Sequence, residues 1–205
     1  MSTPADTDII PESSFDPVVF WIQHKTRIII YAAVIIVGLA GVLLYQLNAR
    51  QKLVESQRIF AQANTEDDYR QIIQKYPNSV VAGNSILLLS EKLRDAKKYD
   101  EAITALQSMI DQYPTHPMID AAWLALGTTY SAEGKADDAL NTYQQVTSKF
   151  ANNYSAPQAM LEIALILKGK GKLDEAKQTY ENVKSQYPNS YFASEAMKEM
   201  LLLHK

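Results

Sequence analysis

The sequence predicts an all-α protein: a single N-terminal transmembrane helix followed by an α-solenoid of helical hairpins with a 37-residue period. Three observations carry that expectation. Ile28 to Tyr45 reads IIIYAAVIIVGLAGVLLY, without one charge. The chain beyond it repeats against itself, with Tyr76, Tyr113, Phe150 and Tyr187 standing 37 residues apart. Within each unit the apolar residues fall at helical spacing, as in Ile86, Leu89 and Leu93.

The first 27 residues form an acidic tail, with four acids against Lys25 and Arg27. Asp16-Pro17 is an N-cap followed by a proline at the first helical position, so a helix is expected to begin near residue 17. The apolar window behind it is assigned to residues 28–47. At 1.5 Å per residue, about 20 helical residues match the thickness of a bilayer core. Lys25 and Arg27 before it, Arg50 and Lys52 after it, and Trp21, Tyr31 and Tyr45 near its ends suit the two interfaces. The run is too long and starts too late for a cleaved signal peptide, and no small-x-small site follows it. An uncleaved signal anchor is expected instead. Basic residues before a single span favour an N-terminus inside and a C-terminal domain outside.

Residues 48–82 read as a juxtamembrane helix and a degenerate half-repeat, in which Tyr69, Ile72 and Pro77 fit a second helix. Three full repeats follow at 83–119, 120–156 and 157–190, with a closing helix at 191–203. Tyr99-Asp100-Glu101-Ala102 recurs as Ala136-Asp137-Asp138-Ala139 and as Leu173-Asp174-Glu175-Ala176. Ser85, Ala122, Ala159 and Ala196 form another column in the same phase. Second helices present Ala102, Leu106 and Met109, then Ala139, Tyr143 and Val146, then Ala176, Tyr180 and Val183. Gly134-Lys135 and Gly171-Lys172 mark turns between paired helices, with Asp137 and Asp174 placed to cap the next one. The Tyr-Pro-Asn-Ser stretches end second helices, because proline cannot continue them and restricts the residue before it.

In the middle repeat Trp123-x2-Leu126-Gly127-x2-Tyr130, followed by Ala139 and Tyr143, resembles the tetratricopeptide (TPR) pattern. Ser90 and Ala164 stand where that pattern has the helix glycine, and Ala151 replaces the terminal proline. The resemblance covers roughly residues 65–203 and puts Trp123 at a core position. With its anchor, the chain resembles the YfgM-type family of ancillary Sec translocon subunits, related to CpoB-like TPR proteins. That resemblance implies a bacterial inner-membrane protein presenting a periplasmic scaffold, with translocon subunits, chaperones or unfolded clients as partners. An envelope or cell-division assembly scaffold and a cytosol-facing TPR adaptor are the alternatives.

The TPR resemblance also implies that first helices line a concave face. Its exposed positions are then Asn84, Leu87 and Glu91, next Ala121, Leu124 and Thr128, and next Gln158, Leu161 and Leu165. A clamp for a C-terminal carboxylate needs Lys and Asn there, and this stripe is rich in Leu instead. It reads either as a groove for a hydrophobic helix or extended segment, or as packing between tightly wound repeats.

No chemistry of catalysis is expected. The chain has no Cys, which excludes disulfides, thiolate metal sites and a cysteine nucleophile. His24, His116 and His204 are scattered without metal-ligand spacing and read as surface residues. Lys168-Gly169-Lys170-Gly171-Lys172 lacks a phosphate-loop ending and follows a helix rather than a strand. The acid pairs recur in phase and so belong to helix N-termini, where negative charge is favourable. From residue 46 onward 19 acids face 18 bases, which gives a nucleic-acid backbone little to bind. No cofactor, metal or small-molecule substrate is expected.

Overall fold

The computed structural model describes residues 16–203, so His204 lies outside the described residues. The chain divides into two compact units, residues 1–53 and 54–205. Among the described residues there are nine helices and no strand.

Helix α1 (Pro17–Gln62) starts where Asp16 predicts. The Asp16 carboxylate accepts the backbone N–H of Val18 at 2.8 Å and of Val19 at 3.3 Å, satisfying two donors that a helix start leaves open. In the first unit every side chain from Ile29 to Leu53 is exposed, which takes in the apolar run apart from half-buried Ile28. Gly38 and Gly41 face open space. This is the one helix among the described residues long and apolar enough to cross a membrane.

The second unit begins with the last turns of α1, where Ser56 is buried and Ile59 and Phe60 pack on the clusters of α2 and α3. Helix α2 (Glu66–Lys75) opens with a capping box: Thr65 Oγ1 accepts the Asp68 N–H, and the Asp68 carboxylate accepts the N–H groups of Thr65 and Asn64. Those bonds, Asn64's first, hold the Asp68 carboxyl below its ordinary range. Three hairpins follow: α3 (Val80–Asp95) with α4 (Tyr99–Gln112), α5 (Ile119–Glu133) with α6 (Ala136–Lys149), and α7 (Ser155–Gly169) with α8 (Leu173–Gln186). Helix α9 (Tyr191–Leu202) closes the stack. First helices begin at Val80, Ile119 and Ser155, slightly before the starts read from the sequence.

The period is written into the caps. Second helices end at Tyr76, Tyr113, Phe150 and Tyr187, as the Tyr-Pro pattern predicts. Ser79 and Ser190 then cap α3 and α9 by accepting the N–H of Ala82 and Ala193. Each hairpin turn needs one residue at positive φ, filled by Lys97 (61°), Gly134 (88°) and Gly171 (75°). The next N–H reaches back to Leu93, Tyr130 and Leu167 respectively, closing each first helix in the same way. The capping roles expected of Asp137 and Asp174 are corrected. Lys135 and Lys172 occupy the N-cap, and the two acids sit inside the first turn of their helices.

Second helices form the spine. Ala102, Ala139 and Ala176, then Leu106, Tyr143 and Tyr180, then Met109, Val146 and Val183 are all fully buried. A Cβ on Gly127 would stand 2.6 Å from the Tyr143 ring, so the ring fits only because that position has no side chain. Consecutive first helices touch, α3 with α5, α5 with α7 and α7 with α9. Among the described residues the backbones of consecutive second helices stand apart.

Two single-residue expectations change. His116 is buried rather than at the surface, packed where Gly83 leaves room for its ring. Its Nδ1 accepts the Met118 N–H at 3.0 Å, which leaves the proton on Nε2 to donate to the Val80 carbonyl, also at 3.0 Å. Trp123 is half-buried rather than enclosed, with the Lys149 ammonium 4.4 Å from its ring centroid.

Candidate binding surface

The predicted stripe divides by burial. Leu161 is 7% exposed and belongs to the core cluster with Tyr143, Ile163 and Tyr180. Leu124 and Leu165 are half-buried against that cluster, and Leu87 against the cluster of Ile86 and Leu106. Asn84, Ala121, Thr128 and Gln158 are half-buried, and Glu91 is exposed. Thr128 is tied to the core, since its hydroxyl accepts the Tyr143 O–H at 3.2 Å and donates to the Leu124 carbonyl at 3.0 Å. The contact between consecutive first helices is the cause: it narrows the face they share. Packing between wound repeats therefore describes Leu161. The other Leu residues keep an accessible edge.

Burial has an electrostatic trace here. It pushes the hydroxyls of Tyr143 and Tyr180 up to about 12, the Thr128 bond partly opposing the shift at Tyr143. It also raises the carboxyl of half-buried Glu162, whose charge in turn raises both tyrosines.

Fully open apolar positions lie elsewhere, at the loop edge where first helices begin. Val80, Met118, Tyr154 and Tyr191 are all exposed, Tyr154 at 76% and Tyr191 at 65%. Residues 80, 154 and 191 are in phase with the repeat, and Met118 is adjacent to the in-phase Pro117. At the C-terminal end this edge is aromatic. Tyr154 and Phe192 meet edge-on at 6.0 Å, and Tyr191 and Phe192 at 5.6 Å. Between two edge positions lies a pocket of about 480 Å³, lined by Pro117, Met118, Ala121, Leu124 and Asn152 to Ser155, with Asp120 at its side. Ala121 and Leu124 were legible as surface positions from the repeat register. The loop residues were not, because their exposure depends on how one hairpin stacks on the next.

Two more clefts open on the outer side, where second helices stand apart. One of about 740 Å³ has Ile73, Ile86, Leu89 and Ala105 as its floor. The other, of about 640 Å³, has Leu140, Ile163 and Leu167 in the corresponding place two repeats later. On their rims Arg70 pairs with Glu101 at 2.8 Å and Lys172 with Glu175 at 3.0 Å, while Asp174 has no ion pair among the described residues. Along the same side Lys98 pairs with Glu66, Lys135 with Asp100 and Lys170 with Asp137, so one hairpin turn is tied to the helix start of the hairpin before it. Exposed pairs of this kind stabilise by at most about 1 kcal/mol each.

Comparison with known proteins agrees with this architecture. No curated protein matches the sequence. Among solved structures, PcrH from Pseudomonas aeruginosa aligns with a TM-score of 0.54 at 18% identity, over 62% of this chain and 95% of that one. SycD, the type III secretion translocator chaperone of Yersinia enterocolitica, gives 0.54 at 17% identity, over 63% and 96%. YrrB, a TPR protein with an unusual peptide-binding site, gives 0.51 at 17% identity, over 69% and 68%. At these identities the likeness is one of fold. The family described as tetratricopeptide repeat-like domain matches residues 19–200, nearly the whole chain. With its caps, turns and buried columns recurring in one phase, this chain belongs to the tetratricopeptide repeat-like domain family.

Proposed function

We propose that the protein is a membrane-anchored TPR scaffold that binds other proteins at the periplasmic face of the inner membrane, in the service of the Sec translocon or of hand-over to periplasmic chaperones. The observation that carries this reading is the row of exposed apolar side chains Val80, Met118, Tyr154 and Tyr191 on one edge of the stack. Met118 and Tyr154 line one pocket and Tyr154 and Tyr191 both meet Phe192, and exposed apolar surface grouped in this way marks interaction sites. In this reading residues 28–47 cross the bilayer, with residues 1–27 cytosolic. Bound segments contact the edge row together with Asn84, Leu87, Glu91, Ala121, Leu124, Thr128, Gln158 and Leu165, while Leu161 serves packing. The role is binding rather than catalysis. PcrH, SycD and YrrB support it only as proteins built on the same kind of stack, one of them a chaperone and one with a peptide-binding site.

Two experiments test it in cells. Alkaline phosphatase fused after Lys205 is expected to be active; an inactive enzyme, with a bright cytosol-only reporter at the same place, reverses the orientation and supports the cytosolic adaptor. A photo-reactive residue at position 154 is expected to capture translocon subunits, periplasmic chaperones or secreted chains. Capture of division or outer-membrane assembly proteins alone supports the assembly scaffold, and no capture removes the edge from the binding surface.

A further inference from the structure

We propose that the pocket between the start of α5 and the loop before α7 takes an extended polypeptide segment bearing a large apolar or aromatic side chain next to a lysine or arginine. The inference rests on the protein-binding reading above and names the chemistry of what is bound.

Shape and lining give the apolar half. The cavity of about 480 Å³ is walled by Pro117, Met118, Ala121, Leu124 and Tyr154, and it is large enough to enclose one large side chain. The walls are held by the fold. Asp120 lies in the first turn of α5, and its Oδ2 accepts the Ser155 hydroxyl at 2.8 Å, joining the starts of two first helices across the pocket. Tyr154 is braced by its edge-on contact with Phe192.

Charge gives the basic half. Asp120 is the one ionisable group among the lining residues of this pocket apart from the phenol of Tyr154. Its carboxylate takes a hydroxyl hydrogen bond and has no cation within 4.0 Å among the described residues, whereas the rim acids Glu101 and Glu175 of the outer clefts are already paired. A guanidinium or ammonium on the bound segment would meet this carboxylate in a pocket whose lining also includes the Tyr154 ring. An acidic residue at that position would meet like charge.

Backbone chemistry favours an extended segment over a helix. Asn152 and Asn153 line the pocket and are exposed, and among the described residues their side-chain amides hydrogen-bond to no protein group. Each amide offers donors and an acceptor. An extended chain presents free N–H and C=O groups to them, whereas a helix has used its own.

The test uses the full chain in detergent micelles and two fluorescent peptides, in which a central Phe-Arg or Phe-Glu pair is flanked on both sides by Gly-Ser repeats. Fluorescence anisotropy is expected to show the Phe-Arg peptide binding roughly fivefold or more tightly than the Phe-Glu peptide, the scale of an exposed ion pair. Asp120→Asn, which keeps an acceptor for Ser155, is expected to bring the two within about twofold. Tyr154→Ala is expected to weaken both. Equal binding of the two peptides to the wild type, an undiminished preference in Asp120→Asn, or no binding of either peptide each overturns the inference. Its failure is separable from failure of the scaffold reading. Partners still captured from position 154 in cells would leave protein binding standing and remove only the basic, aromatic ligand.

Discussion

The spine of second helices and the loop edge use the same period in opposite ways. Along the spine the repeated positions are fully buried and apolar or aromatic: Ala in one column, Leu, Tyr and Tyr in the next, Met, Val and Val in the third. Along the edge the repeated positions Val80, Pro117, Tyr154 and Tyr191 are all exposed and change in chemistry, with exposed Met118 beside Pro117. Neighbouring hairpins restrict what fits in the spine, because interiors are close-packed. No such limit acts on the edge, so its chemistry is free to be set by what it meets. The difference teaches where to look in a short stack: packing keeps the buried columns apolar or aromatic, and the exposed column that varies is where a binding surface is to be sought.

The comparison breaks first in the spine. Tyr143→Ala removes a fully buried ring and is expected to cost about 3–5 kcal/mol, read from denaturant unfolding of the full chain in micelles. Because each hairpin depends on its neighbours, a loss of that size threatens the whole stack. Trp123→Ala, at a half-buried ring, is expected to cost less than about 3 kcal/mol. If the two losses are reversed in order, the wrong columns have been assigned to the core. Gly127→Ala is the next step down. A methyl placed 2.6 Å from the Tyr143 ring forces that buried ring to move, at an expected cost of about 1–3 kcal/mol.

Much of this was legible in the sequence, for a physical reason. A buried column, a left-handed turn and a helix stop each restrict residue type, so Tyr76, Gly134, Ala139 and Tyr143 announce themselves at fixed spacing. Other features depend on partners distant in the chain. His116 lies between two prolines and looks like a loop residue, yet it is buried because Gly83, in another hairpin, has no side chain. Leu161 and Leu124 hold equivalent positions in helices that each stack between two other first helices, yet only Leu161 is buried, a difference the repeat register does not carry. The edge pocket was half legible: Ala121 and Leu124 followed from helix register, while Asn152 and Tyr154 needed the stack to be built. Lys97 hid the turn that Gly134 and Gly171 display.

That lysine gives a smaller, opposite effect. Lys97 sits at φ 61°, where a side chain is unfavourable, so Lys97→Gly is expected to stabilise by about 1 kcal/mol in the same unfolding assay. A loss of stability would show that the lysine side chain has a role beyond the turn. The smallest expected effect is one of pH. Burial raises the Glu162 carboxyl, so the folded state holds that proton more tightly than the unfolded chain. Stability contributed by this group is therefore present in acid and lost as pH rises through its raised titration range. Glu162→Gln removes the charged form, and is expected to be more stable than the wild type at neutral pH, with the difference vanishing in acid. A difference independent of pH would assign the effect to packing instead.

The central claim is that the loop edge binds and the spine folds. Its most direct test is the pair Tyr154→Ser and Tyr191→Ser made together in the full chain, with unfolding and photo-capture from position 118 measured on the same variant. Both side chains are exposed, so the account predicts a change in stability within about 1 kcal/mol, since exposed positions each contribute about 0.5 kcal/mol or less. It also predicts loss of the partners captured by the wild type. A variant that unfolds, or one that folds and still captures the same partners, contradicts it.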